Sequence, residues 1–199
     1  PGDSAAEVGR VAKELNLRSV QVVSGHAPPT YTVWAGGFSP GFPFLSGLDP
    51  CLLCPRLPIP RVRVPRGAVG IGGAQTGIYP LELPGGWNLI GRTDQSLFEP
   101  KAAEPSWLRV GDQVRFEAVD SLAEQEIDSG TPFAMDPLDS DGGAGLEVLD
   151  GGAQTTVQDL GRVAHLALGV TEGGAVNRRG LRIANMLVGN ELGTAALEW

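Results

Sequence analysis

Cysteine and histidine are scarce in this sequence, which argues against a metal or redox protein. The cysteines are Cys51 and Cys54, and the histidines are His26 and His165. A structural zinc ion usually needs four such ligands, and the two histidines lack the spacing of a ligand pair. A redox C-x-x-C motif normally opens a helix, whereas prolines stand on both sides of this one. The sequence therefore predicts no metal site and two free thiols, as is typical of the cytoplasm.

Long apolar runs are also missing. A helix that crosses a membrane needs roughly 18 or more consecutive apolar residues, and no stretch approaches that length. No signal peptide is visible either, although the sequence begins with Pro1 and not with Met. We therefore expect a cytoplasmic protein that is not embedded in a membrane.

Basic residues are too few for a nucleic-acid surface. The formal net charge is -8, and the segment 119–145 holds seven acidic residues with no Lys or Arg. The rest of the chain is thus close to neutral, whereas phosphate binding needs a basic surface. Nucleic acid is therefore not an expected partner.

Four arginines form a local exception to the acidic charge, namely Arg56, Arg61, Arg63 and Arg66. One interpretation is a solvated rim whose charges are spaced by prolines, as most charge runs are. The other is a clamp for an anionic substrate or a nucleotide phosphate, because arginine binds such groups through two parallel hydrogen bonds. The spacing alone leaves both interpretations open.

Glycine and proline are abundant, with 29 and 16 residues, and helix-forming residues are few. This composition predicts a mainly β fold of short strands joined by tight turns. A capping box at Ser4–Glu7 predicts a helix from about Ala5, and a second helix is expected near the end of the chain. The expected strands include Ser19–Val23, Tyr31–Ala35, Trp87–Arg92, Leu146–Leu149, Thr155–Val157 and a last one from Ala195, and the second helix is expected over Val176–Val188.

Two irregular segments carry the most information about a site. The segment 36–45 contains Phe38, Phe42 and Phe44 among prolines and glycines, so it predicts a rigid aromatic loop that packs on a surface or lines a pocket. The segment 66–93 has seven glycines from 67 to 86, interspersed with strand-forming residues. Such density predicts a sharp turn or a close approach of the backbone to another group.

The glycine-rich segment does not match the common phosphate-binding motifs. After Gly72–Gly77 the chain continues with Ile78 and Tyr79, so the lysine and the hydroxyl of a P-loop are missing. The dinucleotide-binding pattern also fails, because no third glycine is in place and no helix clearly follows. We therefore interpret the segment as a site built mainly from backbone groups.

The composition divides the chain into three parts. Residues 1–118 hold most of the predicted strands and form the first domain. The acidic segment 119–145 is poor in apolar residues and rich in turn formers, which is typical of an interdomain linker. The remaining 146–199 are too few for an ordinary autonomous core, so we expect an incomplete second unit.

Several motifs together resemble a known family. GFSPGFPFLSGLDP at 37–50, RVPRGAVGIGGAQTGIYPLELPGGWNLIGRT at 63–93 and GDQVRF at 111–116 resemble the KipI or 5-oxoprolinase B-subunit family, also called allophanate hydrolase subunit 1. LEVLDGGAQTTVQDLGR at 146–162 and GVTEGGAVNRRGLRIANMLVGN at 169–190 resemble the start of the KipA or 5-oxoprolinase C-subunit family, also called allophanate hydrolase subunit 2. The sequence thus resembles a B–C fusion, with the N-terminal domain of the former and most of the latter outside it.

The resemblance implies a fold and an activity. The implied fold is a cyclophilin-like, carboxyltransferase-type β-barrel with one or two short helices, followed by the beginning of a second such module. The implied activity is the ATP-dependent opening of 5-oxo-L-proline to L-glutamate, with ATP and Mg²⁺ as cofactors and no biotin attached to this chain. The implied partners are the LamB/YcsF-type A subunit of 5-oxoprolinase and the rest of the C-subunit module.

The resemblance also leads to a hypothesis for the site. In the expected reaction ATP phosphorylates the lactam oxygen and water then adds. Gln75 and Thr76 would bind the lactam amide, Tyr79 would donate from its hydroxyl and Arg92 would neutralise the transferred charge. Backbone N–H groups of the glycine-rich segment would hold an oxyanion or phosphate. The remaining substrate- or anion-binding residues of this hypothesis are Gly72, Gly73, Gly85, Gly86, Arg63, Arg66 and Phe42.

Two alternatives belong to other classes. KipI-type proteins bind and inhibit a sensor histidine kinase, and the loop of Phe38, Phe42 and Phe44 is the expected contact. The carboxyltransferase domain of urea carboxylase shares the glycine-rich frame but replaces the residues at 75–77, so Gln75-Thr-Gly favours the 5-oxoprolinase interpretation. Biotin-dependent carboxyl transfer would further need a biotin carboxylase and a biotin carrier.

Overall fold

The computed structural model describes residues 4–119 and 148–198, and its backbone divides into two compact units. The first unit contains residues 1–123 and 163–172, and the second contains 124–162 and 173–199. Each unit is described by itself. The predicted linker over 119–145 lies outside the described residues except for Val119. The proposed domain boundaries therefore stay a prediction.

The described residues contain three α-helices, two short 3-10 helices and ten strands. The helices are α1 (Ser4–Glu14), α2 (Ser19–His26) and α3 (Arg178–Leu187), and the 3-10 turns are Pro50–Leu52 and Leu166–Leu168. The strands are β1 (Thr30–Gly36), β2 (Pro43–Ser46), β3 (Arg61–Val64), β4 (Ala68–Gly72), β5 (Gln75–Ile78), β6 (Leu83–Gly85), β7 (Asn88–Arg92), β8 (Gln113–Arg115), β9 (Thr156–Gln158) and β10 (Ala196–Glu198).

The first unit is built on a six-stranded antiparallel sheet in the order β7-β4-β5-β2-β1-β8. Strands β3 and β6 form a separate two-stranded ribbon, and β9 pairs with β10 in the second unit. The predicted mainly β class is confirmed. Within the described residues, however, the six-stranded sheet is open, with β7 and β8 as its edges, and does not close into a barrel.

Helix α1 covers one end of the sheet and buries its apolar face. Val8, Val11 and Ala12 are buried, and Leu15 packs against the same core. This spacing is the helical pattern that the sequence predicted. Full burial of each large aliphatic side chain contributes about 1.5–3 kcal/mol to folding. Helix α1 is therefore part of the core on which the sheet rests.

One predicted strand is wrong, because residues 19–23 belong to helix α2. The run Ser-Val-Gln-Val-Val alternates like a strand, but its buried residues are Val22 and His26, four residues apart on one helical face. The Gln21 side chain also accepts a hydrogen bond from the Arg18 N–H at 2.9 Å, which closes the first turn. Burial on one face and this local cap outweigh the β-branched residues.

Most other predicted elements are confirmed. Helix α3 and strands β1, β7, β9 and β10 lie where the pattern placed them. For the predicted strand at Leu146–Leu149, the described residues Val148 and Leu149 are not in a strand, and the rest lies outside the described residues. Of the helices within residues 4–119 and 148–198, none has the length and apolarity needed to cross a membrane.

His26 has a structural role in the core of the first unit. Its Nε2 lies 2.8 Å from the Thr76 hydroxyl, which donates its own proton to the Gly70 carbonyl at 2.9 Å. The hydroxyl oxygen must therefore accept from His26, which requires a proton on Nε2. Tyr31 donates to the His26 carbonyl at 2.7 Å. Burial lowers the pKa of His26 to about 4.

The depressed pKa of His26 predicts acid sensitivity. Because the unfolded chain takes up a proton near pH 6.5 and the folded chain only near pH 4, this stabilisation is complete above about pH 6.5 and is lost towards pH 4. We expect the free energy of unfolding to fall by about 2 kcal/mol from about pH 7 to about pH 5. Urea unfolding of the wild type and of His26→Gln measures it. An equal acid loss in His26→Gln, which has no titrating ring, would contradict the assignment.

Candidate functional site

The first unit contains an aromatic cavity of about 180 Å³. A cavity of about 150 Å³ holds one benzene ring, whereas drug-sized ligands need about 300 Å³ or more. The volume therefore suits one small ring. The residues that line the cavity are Phe38, Phe42, Phe44, Arg56, Leu57, Pro60, Tyr79, Gly85, Gly86 and Trp87.

Phe42 is the centre of the aromatic cluster. Only 2% of its surface is exposed, and its ring centroid lies 4.9 Å from Phe44, 5.3 Å from Tyr79 and 5.6 Å from Trp87. The planes of Tyr79 and Trp87 stand nearly perpendicular to that of Phe42. Edge-to-face pairs of this kind contribute about 0.5–1.5 kcal/mol each beyond their buried area. The rings that form the floor of the cavity therefore support one another.

Phe38 lies at the rim of the cavity in a strained conformation. It is 58% exposed, packs edge to face on Phe42 at 5.4 Å and has a φ of 67°. A bulky side chain is rare in this left-handed region, where it costs about 1–2 kcal/mol. Such strain, found at an exposed aromatic beside a cavity, is typical of residues that contact a ligand.

We predict that the strain at Phe38 is measurable by comparing two truncations. Phe38→Gly and Phe38→Ala both remove the ring, but only glycine adopts a positive φ without strain. We expect Phe38→Gly to exceed Phe38→Ala in its free energy of unfolding by about 1 kcal/mol. Urea unfolding of the two variants measures the difference. Equal stabilities would show that the loop relaxes and stores no strain.

Two of the predicted glycines make space for aromatic rings. A Cβ built on Gly72 would lie 2.7 Å from the indole of Trp87, and a Cβ on Gly85 would overlap the Tyr79 hydroxyl. Both distances are too short for a real side chain. At these positions the missing side chain allows the rings of the cavity to pack on the backbone.

We predict different costs for alanine at two glycines of the same sheet. In Gly72→Ala the new methyl group collides with Trp87, so we expect a loss of about 1–3 kcal/mol. In Gly91→Ala the methyl group meets nothing within 4 Å, so we expect little change. Thermal or urea unfolding of both variants measures the effect. If both variants lost the same free energy of unfolding, the cost would come from the backbone conformation and not from a collision with Trp87.

The Tyr79 hydroxyl is held in its neutral form. Burial raises its pKa above the usual value, and the backbone of Trp87 together with Arg61 and Arg56 opposes part of that rise. Because the phenol keeps its proton near neutral pH, it can donate a hydrogen bond into the cavity. Tyr79 is therefore the residue of the cavity that is best suited to polarise a carbonyl oxygen.

An ionic network holds the backbone of Trp87. Arg61 donates to the Trp87 carbonyl at 2.8 Å and forms a salt bridge with Glu7 of helix α1. The Glu7 carboxylate also accepts the Leu89 N–H at 3.1 Å. Asn88 is fully buried, accepts from Arg10 and donates to the Pro55 carbonyl at 2.8 Å. Helix α1 thus fixes the start of strand β7 and the indole-bearing residue directly before it.

The four clustered arginines have different environments. Arg61 is paired with Glu7, and Arg63 is paired with Glu82. The Arg56 guanidinium instead lies over the Trp87 ring at 5.7 Å from its centroid, within the range of a cation–π contact. Of the four arginines, only Arg56 lines the cavity.

The structure brings together four of the predicted site residues, since Phe42, Tyr79, Gly85 and Gly86 line the cavity. Of the others, Thr76 is fully buried and bonded to His26, and the Gly73 N–H donates to the Cys54 carbonyl at 2.8 Å. Gln75 and Arg66 are half-buried, and Arg92 and Arg63 are exposed. None of these, nor Gly72, lines the cavity.

Six residues of the cavity were not among the predicted site residues: Phe38, Phe44, Arg56, Leu57, Pro60 and Trp87. The phenylalanines had a signal, because their loop was predicted to pack on a surface or line a pocket. Since Phe42 is buried, Phe38 is the more exposed ring of this loop for any protein contact. The signal for Arg56 was its place among the four clustered arginines, but the pairing of Arg61 with Glu7 and of Arg63 with Glu82, which sets Arg56 apart, is visible only in the fold.

The cysteines lie outside the cavity. Both are free, with Cys51 exposed beside Asp49 and Cys54 buried in the core. A hydrogen bond that the Cys51 thiol donates to Asp49 raises the pKa of Cys51, and burial raises that of Cys54, so both thiols favour the protonated form. Within the part of the chain that the structure describes, no three His, Cys, Asp or Glu residues are grouped to hold a metal ion.

A model of the carboxyltransferase domain, subdomain C and D, matches residues 2–108. This is more than half of the chain, so the protein belongs to that family. Among curated relatives, the B subunit of 5-oxoprolinase from Escherichia coli O157:H7 is 51% identical over 115 residues, which cover 58% of this chain and 53% of the relative. The chain thus spans about half the length of that relative.

The end of the chain matches a different component of the same enzyme. Here the C subunit of 5-oxoprolinase from Escherichia coli strain K12 is 45% identical over 53 residues, which cover 27% of this chain and 17% of the relative. The crystal structure of TTHA0988 matches with a TM-score of 0.70 and 38% identity, covering 96% of this chain and 39% of that one. The resemblance to the B subunit followed by the start of the C subunit is therefore confirmed.

The aromatic cavity does not fit ATP. Its volume of about 180 Å³ is far below what a nucleotide needs, and Arg56 is the one described cationic residue in its lining. The N–H groups of Gly67 and Gly73 donate hydrogen bonds to the carbonyls of Tyr79 and Cys54. The binding of ATP and Mg²⁺ stays a prediction. Such a site would be formed by residues other than those that line this cavity.

Proposed function

We propose that this chain is part of an ATP-dependent 5-oxoprolinase and that its aromatic cavity binds the lactam ring of 5-oxo-L-proline. The observation that carries the proposal is a cavity for one small ring in a chain similar to the 5-oxoprolinase B subunit. The apolar walls of Phe42 and Trp87 would exclude water from the ring. The neutral hydroxyl of Tyr79 would donate to the lactam oxygen.

The proposed complex needs further components. The chain covers only part of the B and C subunits, and TTHA0988 matches both segments within one protein. In the second unit, large apolar side chains such as Val176 (95% exposed), Leu187 and Val188 are exposed. We propose that these side chains pack against the rest of a C-subunit-like module, and that a LamB/YcsF-type partner completes the enzyme.

Removing the Tyr79 hydroxyl tests the proposal. In the complex assembled with the LamB/YcsF-type partner and the rest of the C-subunit module, we expect Tyr79→Phe to lower kcat/KM for 5-oxoproline about tenfold, because a hydrogen bond to the reacting oxygen is lost. Release of L-glutamate with added ATP measures the rate. The observation that an assembled complex forms no glutamate would refute the proposed activity.

The chain offers a matched control. Tyr31→Phe also removes one buried hydroxyl, but that hydroxyl bonds the His26 carbonyl and does not line the cavity. We expect it to lower stability and to leave kcat/KM unchanged. If both variants lost activity equally, the effect of Tyr79→Phe would be due to lower stability.

The two alternative functions, inhibition of a histidine kinase and carboxyl transfer, stay predictions.

A further inference from the structure

Arg56 is the one formally charged residue among the described residues that line the aromatic cavity. Its guanidinium lies over the indole of Trp87, with Cζ 5.7 Å from the ring centroid. The neighbouring Arg61 and Arg63 are neutralised by Glu7 and Glu82. In the described part of the chain, no carboxylate forms a salt bridge with Arg56. A positive charge without such a partner thus stands at the cavity.

The cation–π contact with Trp87 limits the positions that the hydrogen-bond donors of Arg56 can take. A guanidinium is planar, and a ring that covers its face leaves the N–H groups at its edge free to bind another group. Two of these N–H groups match the two oxygens of a carboxylate. The Arg56 side chain is otherwise exposed. Contact with the indole therefore reduces the number of side-chain conformations that Arg56 loses when a carboxylate binds.

The dimensions of the cavity limit the rest of the ligand. Its volume of about 180 Å³ holds one small ring, and its walls are formed mainly by Phe42, Tyr79 and Trp87. A ligand that satisfies both the walls and Arg56 is a small ring with one carboxylate. A nucleotide is too large, and an uncharged lactam would leave the arginine without a carboxylate.

We propose that Arg56 binds the carboxylate of a small cyclic carboxylic acid whose ring lies between Phe42, Tyr79 and Trp87. Arg56 is therefore the residue that selects an acid over the same ring without a carboxylate. The choice of 5-oxoproline as the first such acid rests on the proposed function. The recognition of a ring carboxylate rests on the geometry of the cavity alone.

Matched pairs of ligands test the role of Arg56. We would measure binding of 5-oxo-L-proline and of pyrrolidinone, the same lactam without a carboxylate, to the 199-residue chain by calorimetry. We expect the wild type to bind the acid about tenfold more tightly than the lactam. Arg56→Gln should lose this preference and bind pyrrolidinone as the wild type does. Arg56→Lys, which keeps the charge without the planar fork, should retain part of it.

The control replaces an arginine away from the cavity. Arg109 is exposed and paired with Glu104, so Arg109→Gln changes the net charge equally and should keep the preference. A wild type without preference for the carboxylate, with 5-oxoproline and with benzoate alike, would overturn the inference. So would an Arg56→Gln variant that loses the same factor for both ligands, since Arg56 would then only shape the cavity.

A second ligand pair separates this inference from the proposed function. Benzoate and benzyl alcohol differ in the carboxylate but contain no lactam. If Arg56 governs the preference for benzoate and not for 5-oxoproline, the inference stands and the proposed substrate is wrong. If the assembled enzyme hydrolyses 5-oxoproline and Arg56→Gln leaves KM unchanged, the proposed function stands and the inference is overturned.

Discussion

The close approach of Trp87 to the backbone of Gly72 is the contact on which the site depends. The indole occupies the space where any other residue at position 72 would carry its Cβ. From there it packs against Phe42 and Phe44 and supports the guanidinium of Arg56. Displacement of this one ring would change the cavity floor and the position of the nearby charge together. Glycine at position 72 is thus required by an aromatic ring.

The charges of the first unit are divided between structure and recognition. Glu7 and Arg61 are both partly buried, and each also bonds a backbone group, at Leu89 of strand β7 and at Trp87 directly before it. Such a pair is costly to break, because the remaining charge would stay desolvated and unpaired. The sequence shows the same residue type at positions 56 and 61. Only the fold separates an arginine that holds a strand from one that lies at the cavity.

From the sequence, much of the fold and four of the ten residues that line the cavity could be predicted. Strands rich in β-branched residues and the amphipathic faces of α1 and α3 were found because burial imposes a period on the chain. Helix α2 was mistaken for a strand, since Val20, Val22 and Val23 fit either period. The glycines were correctly associated with a close approach, but a sequence does not say which group approaches. That group is an indole 15 residues away from Gly72.

Two departures from ideal local structure lie beside the cavity, while Asn16 and Ala164, which also have a positive φ, do not line it. Elsewhere in the described core, buried polar groups such as His26, Thr76 and Asn88 are satisfied by hydrogen bonds. The loop at the cavity rim instead places Phe38 in a strained conformation and buries the Ser39 hydroxyl without a partner in the described residues. Each feature costs stability and contributes nothing to the core. Natural sequences tolerate such costs where a ligand or partner is bound, which independently favours this end of the sheet as the functional site.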